Sequence, residues 1–242
     1  ETCFDGFYPA EVESDGVMTV NARKLSEIVK NFPTDAIRIT EMENNWFEIA
    51  SENVEYHIVG MNPDDFPEAP KLDEADFFTV DSLALKKMID KTTAVSVTGE
   101  EKRAHMIGIN MERIDDGNEK KLRMVSTDIK RLAKVDYVCG PESGLAAGED
   151  IIIPKKGLIE VSKFLDTEGN LQIAVKDNYF IVKKENETIS VKLLEGMFPA
   201  YSELLTPDPQ YDIMFDRGLL LMMLRRMSIL TSEEYRGVVF HL

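Results

Sequence analysis

The 242-residue chain is long enough for one large or two ordinary domains, and 43% hydrophobic with 30% charged residues describes a folded globular protein, not a disordered one. No apolar run approaches the roughly 20 residues of a membrane span, since the most apolar stretch, Gly218 to Leu224, runs straight into Arg225 and Arg226. A net charge of −16 argues against coating nucleic acid by bulk electrostatics, and two cysteines, Cys3 and Cys139, read as reduced thiols of a cytoplasmic protein.

In chain order, Glu1 to Gly6 lack the basic and apolar regions of a signal peptide, and no initiator Met precedes them. A helix is predicted over 20–33, where Leu25, Ile28, Val29 and Phe32 share one face and Arg23 and Lys30 lie opposite. Short alternating segments follow at Ile37 to Ile39, Trp46 to Ala50 and Val54 to Val59, separated by Asn-rich turns, and predict antiparallel strands. Pro63 to Asp76 reads as a linker. A helix over 81–94 and a Gly-containing strand at Met106 to Ile109 come next. The helix 154–166 is followed by strands at Leu171 to Val175, Tyr179 to Lys184 and Thr188 to Leu193. Leu205 to Pro209 reads as a second linker, ahead of a helix over 215–231 and a strand at Arg236 to Val239. The chain stops at Val238 to Leu242 as if within a strand, so both ends read as cut.

An internal repeat orders these elements. Val20 to Lys30 lies over Ile153 to Lys163 at an offset of 133, and Trp46-Phe47 meets Tyr179-Phe180 at the same offset. Phe66-Pro67 meets Phe198-Pro199 at 132, and Val80-Asp81 meets Phe215-Asp216 at 135. The expected organisation is half a domain (1–72), one whole domain (73–206) and the start of a third (207–242). The four helical segments together carry +6, which leaves −22 on the rest of a chain of −16. Net positive charge on the helices of an otherwise acidic protein suits a surface that meets phosphates without reading bases.

Five motifs resemble the bacterial sliding clamp family, the beta subunit of DNA polymerase III: Tyr56-His57-Ile58-Val59-Gly60 with Asp64-Asp65-Phe66-Pro67; Ser126-Thr127-Asp128-Ile129-Lys130-Arg131-Leu132-Ala133; Ile152-Ile153-Pro154-Lys155-Lys156-Gly157-Leu158; Leu194 to Tyr201; and Glu233 to Val238. The resemblance implies an α+β fold of repeated helix-plus-antiparallel-strand units, joined head to tail into a two-chain ring with the helices on its inner face. It implies duplex DNA through the hole, faced by Arg23, Lys24, Lys30, Lys86, Lys87, Lys91, Lys155, Lys156, Lys163 and Arg217. It also implies a hydrophobic pocket for short peptides of polymerase, clamp loader and repair proteins, walled by Met106, Thr127, Ile129, Lys130, Arg131, Leu132, Pro199, Leu204 and Tyr235. By the same carry-over, Tyr56 and Ile58 of one chain meet Ile229 and Leu230 of another. The chain departs from the family where Ile129-Lys130 replaces the usual Gly-His and where Glu203 replaces a basic residue.

Two other function classes compete with this reading. An enzyme needs clustered His, Cys or carboxylates, whereas His57, His105 and His241 fall in separate predicted strands. There is no phosphate-binding Gly-rich loop, nucleophile elbow or metal-ligand spacing, so no catalysis, cofactor or metal is expected. A scaffold that never encircles DNA would use the same domain interface for partners and leave the helical lysines as solubilising groups.

Overall fold

The structure is a computed structural model and describes residues 2–34, 36–70, 72, 75–95, 107–116, 119–139, 150–205, 213–229 and 238–241. The chain divides into two compact units, 1–198 and 199–242. Four helices occupy the predicted segments: α1 (Ala22–Lys30), α2 (Ser82–Thr93), α3 (Lys155–Phe164) and α4 (Arg217–Ser228). Each is shorter than expected, and three of them begin after a residue whose side chain caps the helix instead of joining it. Asn21 Oδ1 accepts from Lys24 N at 3.1 Å, Asp81 Oδ1 from Ala84 N at 2.7 Å and Asp216 Oδ1 from Leu219 N at 2.7 Å. The equivalence of Asp81 and Asp216 noted in the repeat is thus an equivalence of caps.

The first repeat copy forms a three-stranded antiparallel sheet of β2 (Arg38–Glu41), β3 (Trp46–Ser51) and β4 (Val54–Val59), in that order. The second copy supplies β10 (Asn170–Lys176), β11 (Tyr179–Lys184) and β12 (Glu187–Lys192). These are flanked by β5 (Phe78–Asp81) on one side and β1 (Thr2–Gly6) on the other, in the order β1-β12-β11-β10-β5. A third antiparallel sheet contains β6 (Gly108–Asp116), β7 (Glu119–Thr127), β8 (Leu132–Cys139) and β9 (Asp150–Pro154), in the order β8-β7-β6-β9.

The repeat holds at the level of the backbone. β3 and β11, and likewise β4 and β12, begin and end at positions related by the offset of 133. The left-handed residues obey the same offset: Asn44 and Asn45 (φ 58° and 59°) match Asp177 and Asn178 (47° and 66°), and Glu52 (43°) matches Glu185 (49°). Asn and Asp tolerate this conformation better than most residues, and the Asp177-Asn178 pair makes the two-residue connection that suits the twist of a hairpin.

One core joins the five-stranded and four-stranded sheets to two helices. Leu85, Met88 and Ile89 of α2 and Leu158 and Val161 of α3 meet Ile109, Met111, Leu122 and Met124 from one sheet and Ile173, Phe180, Val182 and Val191 from the other. Gly157 lets α3 close on β12, because a Cβ there would lie 2.2 Å from Val191 Cγ1. In the first copy Phe47 and Ile49 are buried, no residue of α1 is fully buried, and Phe32 stacks edge-on against Tyr56 with ring centroids 5.5 Å apart.

Sequence reading missed β1 and its pairing with β12, because strand addition between distant segments leaves no periodic signal. The Gly-containing strand expected from Met106 begins at Gly108 as β6, with Ile107 outside it and Met106 outside the described residues. The counterpart expected at Arg236 to Val239 lies partly outside the described residues, and Val238 and Val239 are not in a strand.

Candidate functional site

The helical charges are sharper than the sequence suggests. Asp81, Asp166 and Asp216 fall outside the helices, so the four described helices carry nine net positive charges and leave −25 on the rest of a chain of −16. Arg23, Lys24 and Lys30 on α1, Lys87 and Lys91 on α2, Lys156 and Lys163 on α3 and Arg217 on α4 are all exposed. Lys163 Nζ contacts Glu160 Oε1 at 2.8 Å, a surface pair one helical turn apart that leaves the lysine in solvent.

Lys86 corrects the expectation. It is part-buried, and its ammonium donates to Ser162 O at 2.5 Å and Leu165 O at 3.2 Å, so it caps the C-terminal end of α3 instead of turning outward. The helical wheel gives the reason. Lys86 lies about 100° from the buried Leu85, on the flank where Asp90 accepts a hydrogen bond from Ser162 Oγ, whereas Lys87 lies opposite the core. Lys155 is half-buried on α3, within about 20° of Ser162 on the wheel, so it stands at the margin of the exposed face.

The segment Thr127 to Leu132 is a tight turn between β7 and β8, and side chains determine it several times over. Thr127 Oγ1 donates to Arg131 O at 3.0 Å and accepts from Ile129 N at 3.1 Å. Asp128 Oδ1 accepts from Lys130 N and Arg131 N at 3.1 and 2.9 Å, and Asp128 Oδ2 accepts from Arg131 Nε at 2.8 Å. The Arg131 guanidinium, helped by these amides, holds the Asp128 carboxyl below its ordinary value. This frame presents Ile129 68% exposed at φ 74°, a conformation costly for a β-branched residue. A glycine would sit there without strain.

Of the other expected pocket residues, Pro199 is exposed, and Leu204 belongs to the short 3-10 turn Ser202–Leu205. Met106, Tyr235 and Leu230, the last expected at the ring interface, lie outside the described residues. Ile229 is the C-cap that follows α4 and is 81% exposed. Burial raises the thiols of Cys3 and Cys139 above their usual values, which lowers the thiolate fraction of each.

Tyr56 and Ile58 lie on β4, which is an outer strand of its sheet with no pairing partner on its free edge among the described residues. Their repeat equivalents, at the offset of 133, are Ile189 and Val191 of β12. That strand's corresponding edge is covered: Phe4 pairs with Ile189 and Thr2 with Val191.

Comparison with known proteins follows this architecture. The family model of the DNA polymerase III beta subunit central domain matches residues 79–200, and that of the N-terminal domain matches residues 2–70. The chain belongs to the DNA polymerase III beta subunit family. Its curated relatives include the beta sliding clamp of Halalkalibacterium halodurans, 29% identical over 230 residues that make up 95% of this chain and 59% of that protein. The DNA polymerase sliding clamp of Pseudomonas aeruginosa, solved with a ligand, superposes with a TM-score of 0.83 at 26% identity, covering 98% of this chain and 63% of the other. The sliding clamp of Bacillus subtilis gives 0.82 at 25%, covering 96% and 62%. The chain therefore spans about 60% of the length of the relatives it matches. Membership bears out the α+β clamp fold expected from the motifs. No helix among the described residues is long and apolar enough to cross a membrane.

Proposed function

We propose that this chain is part of a DNA sliding clamp, a non-catalytic processivity factor that encircles duplex DNA and tethers the replicative polymerase. The observation that carries the reading is the charge map, with a net +9 on the four described helices and −25 on everything else. Phosphates would be held by point charges without base readout, which lets a ring slide, while the acidic remainder discourages side-on binding. The DNA-facing set is Arg23, Lys24, Lys30, Lys87, Lys91, Lys155, Lys156, Lys163 and Arg217, with Lys86 withdrawn. Residues 1–72, 73–206 and 207–242 are assigned to the first, second and third clamp domains.

Self-association head to tail would use the free edge of β4, with Tyr56 and Ile58 of one chain meeting Ile229 and Leu230 of another. The β1–β12 pairing within this chain supports the idea, since it covers the equivalent edge in the other repeat copy. Polymerase, clamp loader and repair proteins would dock a peptide against Thr127, Ile129, Lys130, Arg131 and Leu132, together with Met106, Pro199, Leu204 and Tyr235. The exposed Ile129, in place of glycine, would change what the turn offers a peptide, so peptide preference would differ from that of relatives with Gly-His.

The test loads the native protein onto nicked circular DNA and then linearises the circle. Retention on circles with loss from free ends supports encirclement, and charge reversal of Lys87, Lys91, Lys156 and Lys163 should abolish loading. Equal loss from circles and linear DNA would refute it and leave a non-encircling scaffold.

A further inference from the structure

We propose that Glu48, Glu55 and His57 form a site for a borderline divalent transition-metal ion, with Zn2+ the best fit. Glu48 and His57 are directly opposed partners on β3 and β4, and Glu55 lies two residues before His57 on the same sheet face. One donor atom from each, His57 Nε2 and one oxygen of each carboxylate, falls within 4.8 Å of the others. His57 Nε2 stands 2.6 Å from Glu55 Oε1 and 3.8 Å from Glu48 Oε2. A tetrahedral ion with bonds of about 2.0–2.1 Å sets its donors about 3.3 Å apart, between those two separations. The three side chains are 43%, 57% and 22% exposed for His57, Glu55 and Glu48, so small rotations reach that geometry without repacking a core.

An ion pair with one protonated imidazole needs only one carboxylate. Here two converge on a single ring nitrogen, Glu55 at 2.6 Å and Glu48 at 3.8 Å. A dication would bind both carboxylates and the nitrogen lone pair at once. Arg38 Nη2 lies 3.4 Å from Glu48 Oε1, while Oε2 is the oxygen 3.8 Å from His57, so Arg38 can hold the carboxylate as supporting partners of metal ligands do. Imidazole with carboxylates favours zinc-like ions over Mg2+. The ion would staple β3 to β4, whose opposite face carries Tyr56 and Ile58.

The test titrates ZnCl2 into the 242-residue chain by calorimetry and follows Co2+ binding by its visible absorption. The expected result is one site, insensitive to excess Mg2+, whose affinity falls about tenfold or more in His57→Ala and again in Glu48→Gln. His241→Ala should bind as the unaltered chain does. Unchanged affinity in His57→Ala, with circular dichroism confirming the fold, would overturn the proposal, as would the lack of saturable binding below about millimolar Zn2+.

Discussion

Gly157→Ala separates a packing role from a helix-propensity role. On propensity alone the change should stabilise by about 1 kcal/mol, because glycine is the poorest helix former after proline. The structure predicts the reverse. The new methyl would lie 2.2 Å from Val191 Cγ1, 3.1 Å from Cγ2 and 3.3 Å from Cβ. Val191 is 1% exposed and pairs with Phe180 on one side and Thr2 on the other, so it has no room to retreat. Overpacking of a fixed core costs about 1–3 kcal/mol, and a contact this short belongs at the upper end. The net expectation is a loss of about 1–2 kcal/mol, read as a lower urea midpoint with unchanged slope. Val191→Ala removes the atoms in the way, so the double variant should be more stable than the two single losses added together. A Gly157→Ala variant as stable as the original, or more so, would refute the close approach of α3 to β12. It would also release the constraint that turns Lys156 and Lys163 outward.

Ile129→Gly should raise stability by about 0.5–1.5 kcal/mol, against the usual cost of glycine, because it relieves a left-handed β-branched residue that is largely in solvent; a lower thermal midpoint would count against the strain. Lys86→Met should lower stability by about 1–3 kcal/mol by taking a charged donor from two carbonyls, while leaving retention on circular DNA unchanged; a loss of DNA retention at full stability would restore Lys86 to the DNA-facing set. The Arg123 guanidinium grips both oxygens of Asp136 at 2.7 and 2.9 Å and, with Lys134, holds that carboxyl below its ordinary value of 3.8. Its stabilisation is therefore complete above about pH 4 and is lost as pH falls through the depressed folded value. Across the same sheet face burial raises Glu112, which Arg123 partly offsets, so Arg123→Gln should destabilise at neutral pH and converge with the original in acid unfolding; a gap that persists in strong acid would contradict this.

Much of the fold was legible because its signals are local. Apolar spacing located all four described helices, and Asp81 and Asp216 could have been read as caps since each precedes an apolar run. The strands of both copies were legible because alternation is a two-residue signal and the turns between them carry Asn, Asp or Glu. Lys86 was misread because a helical wheel separates a buried face from an exposed one but does not show which flank a second helix will occupy. The strain at Ile129 was likewise invisible, since φ belongs to the turn and no rule of composition reports it. Met106, Leu230 and Tyr235 rest on family resemblance alone.

The pairing of β1 with β12 carries the argument one step further. Two strands that share length, register and turn conformation through the repeat should share their edge chemistry, because an open edge exposes the same row of unpaired amides and carbonyls in each. One of them is covered by Thr2 to Gly6, with Phe4 packed edge-on against Phe164 at 5.9 Å. The other carries Tyr56 beside Phe32 and lacks a pairing strand on its free edge among the described residues. Tyr56→Lys in the native protein should therefore leave the fold intact and shift self-association toward single chains, in sedimentation run at matched concentrations. If that variant associates as tightly as the original, the β4 edge is not where copies meet, and the likeness of the two repeat copies ends at the fold.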